Sequence, residues 1–328
     1  MSTPTESTQR PTVLVGEATE DWTGDAVFYE YTAAADPLAS GTTGPVPVHS
    51  FPAAVHAGGP TRLVPLDLSA RLDVPYPATS PGLLASFAVI RPGERLATEP
   101  EATSELYYCL RGDGHTDLVT TGVAPLRMGW GQGDFFTLPA GYDCGHVAGD
   151  AGVLLYRVTD APLLRYLGAV AVQPRFAPTR FDGGEALARL AEVEADPAAE
   201  GRSRVSVLLG NTATPRTLTV THTLWAMLGV LPAGRVQRPH RHQSAAVDLI
   251  TGCEPGCYSL VGSRLDATGT IVDAVRVDWE PGGAFVTPPG LWHSHHNESG
   301  RPAHLIPIQD AGLHTYLRSL DIRFVPGD

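Results

Sequence analysis

Residues 239–242 read Pro-His-Arg-His, and residues 290–297 read Gly-Leu-Trp-His-Ser-His-His-Asn. On an extended strand, side chains two apart point the same way. His240 and His242 therefore share one face of a sheet. His293, from the later stretch, completes a three-histidine metal site. Three neutral nitrogens leave open positions on a six-coordinate metal, as a chelating substrate and dioxygen require. His295 stands two residues after His293 and shares its face on a regular strand. It reads as an acid or base beside the metal, or as an alternative ligand. His296 points the other way.

Other residues are weaker candidates. Asp248, Gln243, Trp292, Asn297, Gln309 and Asp310 could line a pocket. Asp310 is matched by Asp160 in an earlier, similar stretch, which argues for a turn-holding role. Gln309 is matched only by Thr159, so a site role is the better reading. Trp292 reads more as packing than as pocket. Arg235 and Arg238 precede the histidines and read either as anion binders or as solvated loop arginines.

The elements that position these residues are visible as an internal repeat. Trp130-Gly131-Gln132-Gly133 and Pro139-Ala140-Gly141 are answered by Trp279-Glu280-Pro281-Gly282 and Pro288-Pro289-Gly290. Asp160-Ala161-Pro162-Leu163 is answered by Asp310-Ala311-Gly312-Leu313, and Tyr166-Leu167 by Tyr316-Leu317. Short runs such as Leu106–Leu110 and Tyr258–Val261 between Gly, Pro and Asp turns predict β-rich copies. Between the copies, Leu187, Leu190 and Val193 have helical spacing over Gly183 to Ala195, with Asp182 as cap. A second helix is expected over about residues 312–319.

Composition sets the bounds. A length of 328 residues suits two domains, and 43% hydrophobic residues suffice for real cores. The net charge of -12 argues against a nucleic-acid partner. Four scattered cysteines make no disulfide framework, Cys253 and Cys257 flanking a turn. Neither a signal segment nor a membrane-length apolar run appears. A cytoplasmic protein without membrane partners is expected, assembling with copies of itself. The Ser/Thr/Pro-rich start, Met1 to Thr12, is expected to be mobile.

These residues carry a family resemblance. Gly234, then five residues, then His240-x-His242 resembles the first cupin motif. Gly282, Pro288-x-Gly290, His293 and Asn297 resemble the second, complete in spacing. Two such copies imply an all-β bicupin, two antiparallel jelly-roll barrels. The implied division is an N-terminal segment (1–44), a first cupin with a degenerate metal site (45–171), a helix-bearing connector (172–204) and a second cupin with the metal site (205–328). Within bicupins, the wording from Pro239 to Ala245, from Thr287 to Asn297 and from Pro307 to Phe324 resembles gentisate, salicylate and hydroxynaphthoate dioxygenases.

The resemblance implies a non-haem Fe(II) dioxygenase that cleaves a chelating hydroxylated or aminated aromatic molecule with O2. Other bicupin enzymes use Mn, Ni or Zn as isomerases, decarboxylases or aminohydrolases, and oxygen consumption separates the two readings. A storage or sensing bicupin fits the intact histidine set poorly. No organic cofactor is expected, since no Gly-rich phosphate loop appears.

The chain departs from the family in three respects. The family's metal sits in the first barrel, whereas here the intact motif is in the second. The cupin Glu is replaced, at Val247. The family's Arg after His-x-His, which holds the substrate carboxylate, gives way to Val247 and Asp248. An Asp248 facing the pocket would repel gentisate and pair with an amino group. In the first copy, Glu99, Glu101 and Cys144 stand where the histidines stand, with Glu105 at the cupin Glu position. Four such groups would repel one another without a cation, and a structural barrel is the expectation.

Overall fold

The computed structural model describes residues 22–98, 101–196 and 205–325. The stretch Met1 to Thr12, Glu99 and the end of the connector lie outside the described residues. Residues 1–44 and residues 45–328 are two separate units. The described part of the first carries one short helix, Tyr31–Ala34, whose free N–H groups at Thr32 and Ala33 are capped by the Glu30 carboxylate.

Residues 45–328 hold the two copies, each built from two antiparallel sheets. In the first barrel, Ser104–Arg111, Val153–Thr159 and Leu84–Ile90 form the centre of a six-stranded sheet. It faces a four-stranded sheet containing Asp113–Val119 and Asp143–Ala148. In the second barrel, Ala246–Gly252, Ala303–Gln309 and Trp225–Leu231 are the centre of a six-stranded sheet. A five-stranded sheet facing it contains Cys257–Gly262, Trp292–Asn297 and Val236–Arg241. The facing sheets are not joined into one hydrogen-bonded cylinder.

Alternation along the strands explains the packing. Leu106, Tyr156 and Val158 share one apolar core with Ala226, Val247, Leu249, Ile306 and Ile308. The two six-stranded sheets thus bury their outer faces on each other, which is why these strands are buried on both sides. The opposite faces fill the barrels, with Tyr107, Phe136 and Leu155 in the first and Ile250, Phe285 and Leu305 in the second.

The strand His49–Phe51 belongs by sequence to the first copy but pairs with Ala284–Thr287 of the second. That strand would otherwise be an open edge with unpaired backbone groups. The helix Gly183–Ala195 forms as its spacing predicts, with the Asp182 side chain accepting from Glu185 N–H at 3.0 Å. Leu190 and Ala186 are buried, while Leu187 is half exposed. A second repeated helix spans Ala311–Leu317. All four cysteines are free, and among the described residues no helix is long and apolar enough to cross a membrane.

The repeated aspartates hold equivalent turns in unequal ways. Asp160 accepts N–H bonds from Thr103 and Ser104, and hydroxyl bonds from Thr103 and, across the shared core, from Thr223. Asp310 accepts from Ala245 N–H at 2.9 Å, and Gly82 stands beside its other oxygen, where a hydroxyl donor is missing. Burial then pushes the Asp310 carboxyl up to about 7, only partly opposed by its backbone donors.

The folded state holds the proton longer than the unfolded chain does. Stability from this group is full below its ordinary value of 3.8 and lost as pH rises through about 7. The change is on the order of 4 kcal/mol. Asp310→Asn keeps an acceptor for Ala245 and removes the charge. Its melting temperature is expected to vary less with pH than that of the wild type over this window, as parallel thermal melts will show.

Candidate metal centre

Strands Val236–Arg241 and Trp292–Asn297 pair antiparallel, with His240 opposite His293. The register shifts between Gln237 and His240, so a bulge turns both of these residues inward. His242 follows immediately after the strand. Its carbonyl accepts from Gly290 N–H at 2.7 Å, which ties the two motifs together. Gly290 has φ +74, a left-handed conformation that favours glycine; Gly141 repeats it in the first barrel with φ +90.

Four histidines meet here, with exposures of 2% for His240, 3% for His242, 2% for His293 and 2% for His295. Ring centroids lie 4.0 Å apart for His240 and His293, 4.8 Å for His242 and His293, and 6.3 Å for His240 and His242. The ligand nitrogens that converge within 4.8 Å are those of His240, His293 and His295. This trio differs from the one that spacing predicts, because His242 lies beyond the strand end and its ring turns toward Ser244.

Hydrogen bonds distinguish the four. His240 Nδ1 faces the Arg238 carbonyl at 3.1 Å, His293 Nδ1 the Leu291 carbonyl at 3.2 Å, and His242 Nδ1 the Ser244 carbonyl at 2.8 Å. A carbonyl only accepts, so each Nδ1 carries the proton and each Nε2 keeps its lone pair. This arrangement suits three nitrogen ligands. His295 Nδ1 instead faces the Ser259 hydroxyl at 2.7 Å, and that oxygen accepts from Trp279 Nε1 at 2.9 Å.

The same trio recurs in the first barrel, where Trp130 Nε1 donates to Thr116 Oγ1 at 2.8 Å and Thr116 meets His146 Nδ1 at 2.8 Å. Burial there lowers the His146 pKa to about 4, so the ring is neutral. A Trp–hydroxyl–His unit is therefore part of both barrels, with or without the other histidines.

A cleft of about 270 Å³ opens onto His240 and His242. Leu208, Trp225, Met227, Gln309 and Phe324 line it, with Phe324 stacked on His240. Ser244 Oγ donates to Gln309 Oε1 at 2.9 Å and lies 3.0 Å from His242 Nδ1, linking the cleft wall to the cluster. Trp225, Met227, Ser244, Ser259 and Phe324 carried no role in the sequence reading. Only the position of Ser244 beside His-x-His hinted at one.

Other candidates fall elsewhere. Asp248 is buried in the second barrel, accepts from Thr287 Oγ1 at 2.7 Å and is not among the residues lining the cleft. The expected repulsion of a substrate carboxylate thus has no geometric support. Strand alternation sends Val247 and Leu249 to the shared core and Asp248 inward. Asn297 holds its turn, donating to the Leu231 and Arg301 carbonyls and accepting from Ser299. Trp292 faces outward under the Arg241 guanidinium, and His296 stacks on Tyr258. Arg235 and Arg238 are exposed.

In the first barrel, Glu105 pairs with Thr159 as Ala246 pairs with Gln309, so the cupin Glu place in the second barrel is held by Ala246 rather than Val247. Glu101 is exposed and ion-paired with Arg165. Burial raises the Cys144 thiol to about 12. Glu105 is bound at 2.9 Å by Arg157, which the sequence reading missed despite its place in an apolar strand. Burial alone would raise the Glu105 carboxyl, but the guanidinium and the Tyr107 hydroxyl hold it below its ordinary value. An internal cation neutralises this barrel.

No family model matches the chain. It is 33% identical to a 5-aminosalicylate 1,2-dioxygenase from a Comamonas species over 100 residues, 30% of this chain and 25% of that protein. It is 30% identical to gentisate 1,2-dioxygenase 1 of Aquipseudomonas alcaligenes over 25% of this chain and 20% of that protein. The matches thus span a quarter or less of these relatives. Its structure resembles salicylate 1,2-dioxygenase from Pseudoaminobacter salicylatoxidans with a TM-score of 0.65, covering 86% of each chain at 16% identity. The protein has the all-β bicupin fold of that enzyme and resembles the gentisate and 5-aminosalicylate dioxygenases in sequence.

Proposed function

We propose that this protein is a non-haem Fe(II) dioxygenase that cleaves the ring of a hydroxylated or aminated aromatic acid with O2. The observation that carries this reading is the set of three histidines with carbonyl-anchored Nδ1 atoms, His240, His242 and His293, beside an apolar cleft. Iron bound there supplies the redox chemistry that couples an electron-rich substrate to dioxygen. The cleft's apolar walls hold a ring and exclude water. His295 is held by Ser259 as His146 is held by Thr116, and it acts beside the metal rather than on it. With Ala246 where a carboxylate would stand, a divalent ion held by the histidines would keep its full charge, which favours an anionic chelating substrate. The names of the relatives support aromatic acids of the salicylate type.

The test is anaerobic loading with Fe(II), then an oxygen electrode with salicylate, 5-aminosalicylate and gentisate. Oxygen uptake that matches substrate loss is expected with at least one of them. A substrate converted equally well without oxygen would move the protein to the isomerase, decarboxylase or aminohydrolase reading, with Mn, Ni or Zn as the metal.

A further inference from the structure

We propose that Trp225 and Gln309 form a neutral two-donor subsite for the substrate's carboxylate, a reading that rests on the proposed function of the cleft. The two residues are direct partners on neighbouring antiparallel strands, Trp225–Leu231 and Ala303–Gln309. Partners in such a pair carry their side chains on the same face, about 5 Å apart. Both line the cleft that opens onto His240 and His242. Trp225 Nε1 is buried and has no hydrogen-bond partner among the described residues. A buried donor left unpaired is costly, and an occupant that accepts from it removes the cost.

The orientation of Gln309 follows from its neighbour. The Ser244 carbonyl requires the proton on His242 Nδ1, and Ser244 Oγ lies within reach of that N–H. The serine proton is then free to go to Gln309 Oε1, at 2.9 Å. With its oxygen used, Gln309 offers the cleft its NH2 group. The pair therefore turns N–H donors to the cleft, with the Gln309 oxygen engaged by Ser244. An indole and an amide so placed select a group that only accepts, such as a carboxylate, over a hydroxyl or an ammonium. This subsite takes the place of the arginine that the family resemblance implies. A neutral pair suffices because a divalent ion held by the histidines beside it would balance an anionic substrate.

The experiment uses the full chain loaded with Zn(II), which permits binding without turnover, and titrates salicylate and catechol calorimetrically. The wild type is expected to bind salicylate more tightly than catechol. Trp225→Phe and Gln309→Met are each expected to weaken salicylate about tenfold, the value of one good hydrogen bond. Catechol binding and metal content are expected to stay as in the wild type. Gln309→Glu, which replaces the donor by a charge, should weaken salicylate further. Unchanged salicylate binding in Trp225→Phe and Gln309→Met overturns the proposal. So does an equal loss for catechol, which marks damaged packing, or a wild type that prefers catechol. If the salicylate pattern holds but the Fe(II) protein consumes no oxygen, the subsite stands and the dioxygenase reading fails.

Discussion

His242→Ala is expected to strip the protein of its metal, while His295→Ala leaves one metal per chain. The reason is the proton on each ring. The Ser244 carbonyl holds His242 Nδ1 as the protonated nitrogen, which frees Nε2 for ligation. Ser259 accepts from Trp279 and donates its own proton to His295 Nδ1, which leaves the ring's single N–H on Nε2. A ligand lost from a three-nitrogen set leaves too few donors to retain the ion through dialysis. Removing a neighbour of the ligands costs about 10- to 100-fold in affinity and leaves a filled site at micromolar metal. Metal analysis of the dialysed variants decides. Metal kept by His242→Ala and lost by His295→Ala would assign the ligands to His240, His293 and His295, whose nitrogens converge. Unchanged stoichiometry in His240→Ala with His242→Ala would remove the metal centre from this barrel altogether.

Arg157→Met is expected to destabilise the protein by about 3–5 kcal/mol, the cost of leaving one member of a buried ion pair alone. Arg157 and Glu105 are both buried, and the Tyr107 hydroxyl also donates to Glu105. Without the guanidinium, Glu105 must take up a proton or keep an uncompensated charge. Adding Glu105→Gln is expected to recover most of the loss, since a neutral amide needs no counter-ion. Urea unfolding of the two singles and the double makes the cycle. If Arg157→Met unfolds at the wild-type midpoint, the pair is not what holds the first barrel's interior. The wild-type pair also carries a pH signature. The Glu105 carboxyl lies below its ordinary value, so its stabilisation is present above the unfolded pKa and lost as pH falls through the folded one.

The contrast between the barrels has a simple chemical basis. In the first, Glu105 is retained and a guanidinium meets it. In the second, Ala246 stands at that place and histidines gather instead. The two copies thus enclose two different interiors. The Trp–hydroxyl–His units built on Trp130 and Trp279 are common to both.

The sequence by itself determined the repeat, the all-β bicupin architecture, the connector helix and the two histidine motifs of the second copy. These are legible because glycine turns, strand alternation and motif spacing are local properties of the chain. The repeat set Asp310 beside Asp160 and Gln309 beside Thr159; in the fold Asp310 accepts from Ala245 N–H and Gln309 lines a cleft. Tertiary structure decided what spacing cannot carry. A bulge between Gln237 and His240 sets which side chains turn inward. The carbonyls that face His240, His242 and His293 lie two residues away along the chain, whereas the Ser259 hydroxyl that meets His295 comes from a neighbouring strand. Asp248 was expected at the pocket, but its strand is buried on both faces, and the partner it finds there is Thr287. Arg157 meets Glu105 across a strand pair, a distance of 52 residues that no local pattern spans. The pairing of Trp225 with Gln309 joins residues from opposite ends of the second barrel. Local chemistry chose the residue types, and only the folded sheets chose their partners.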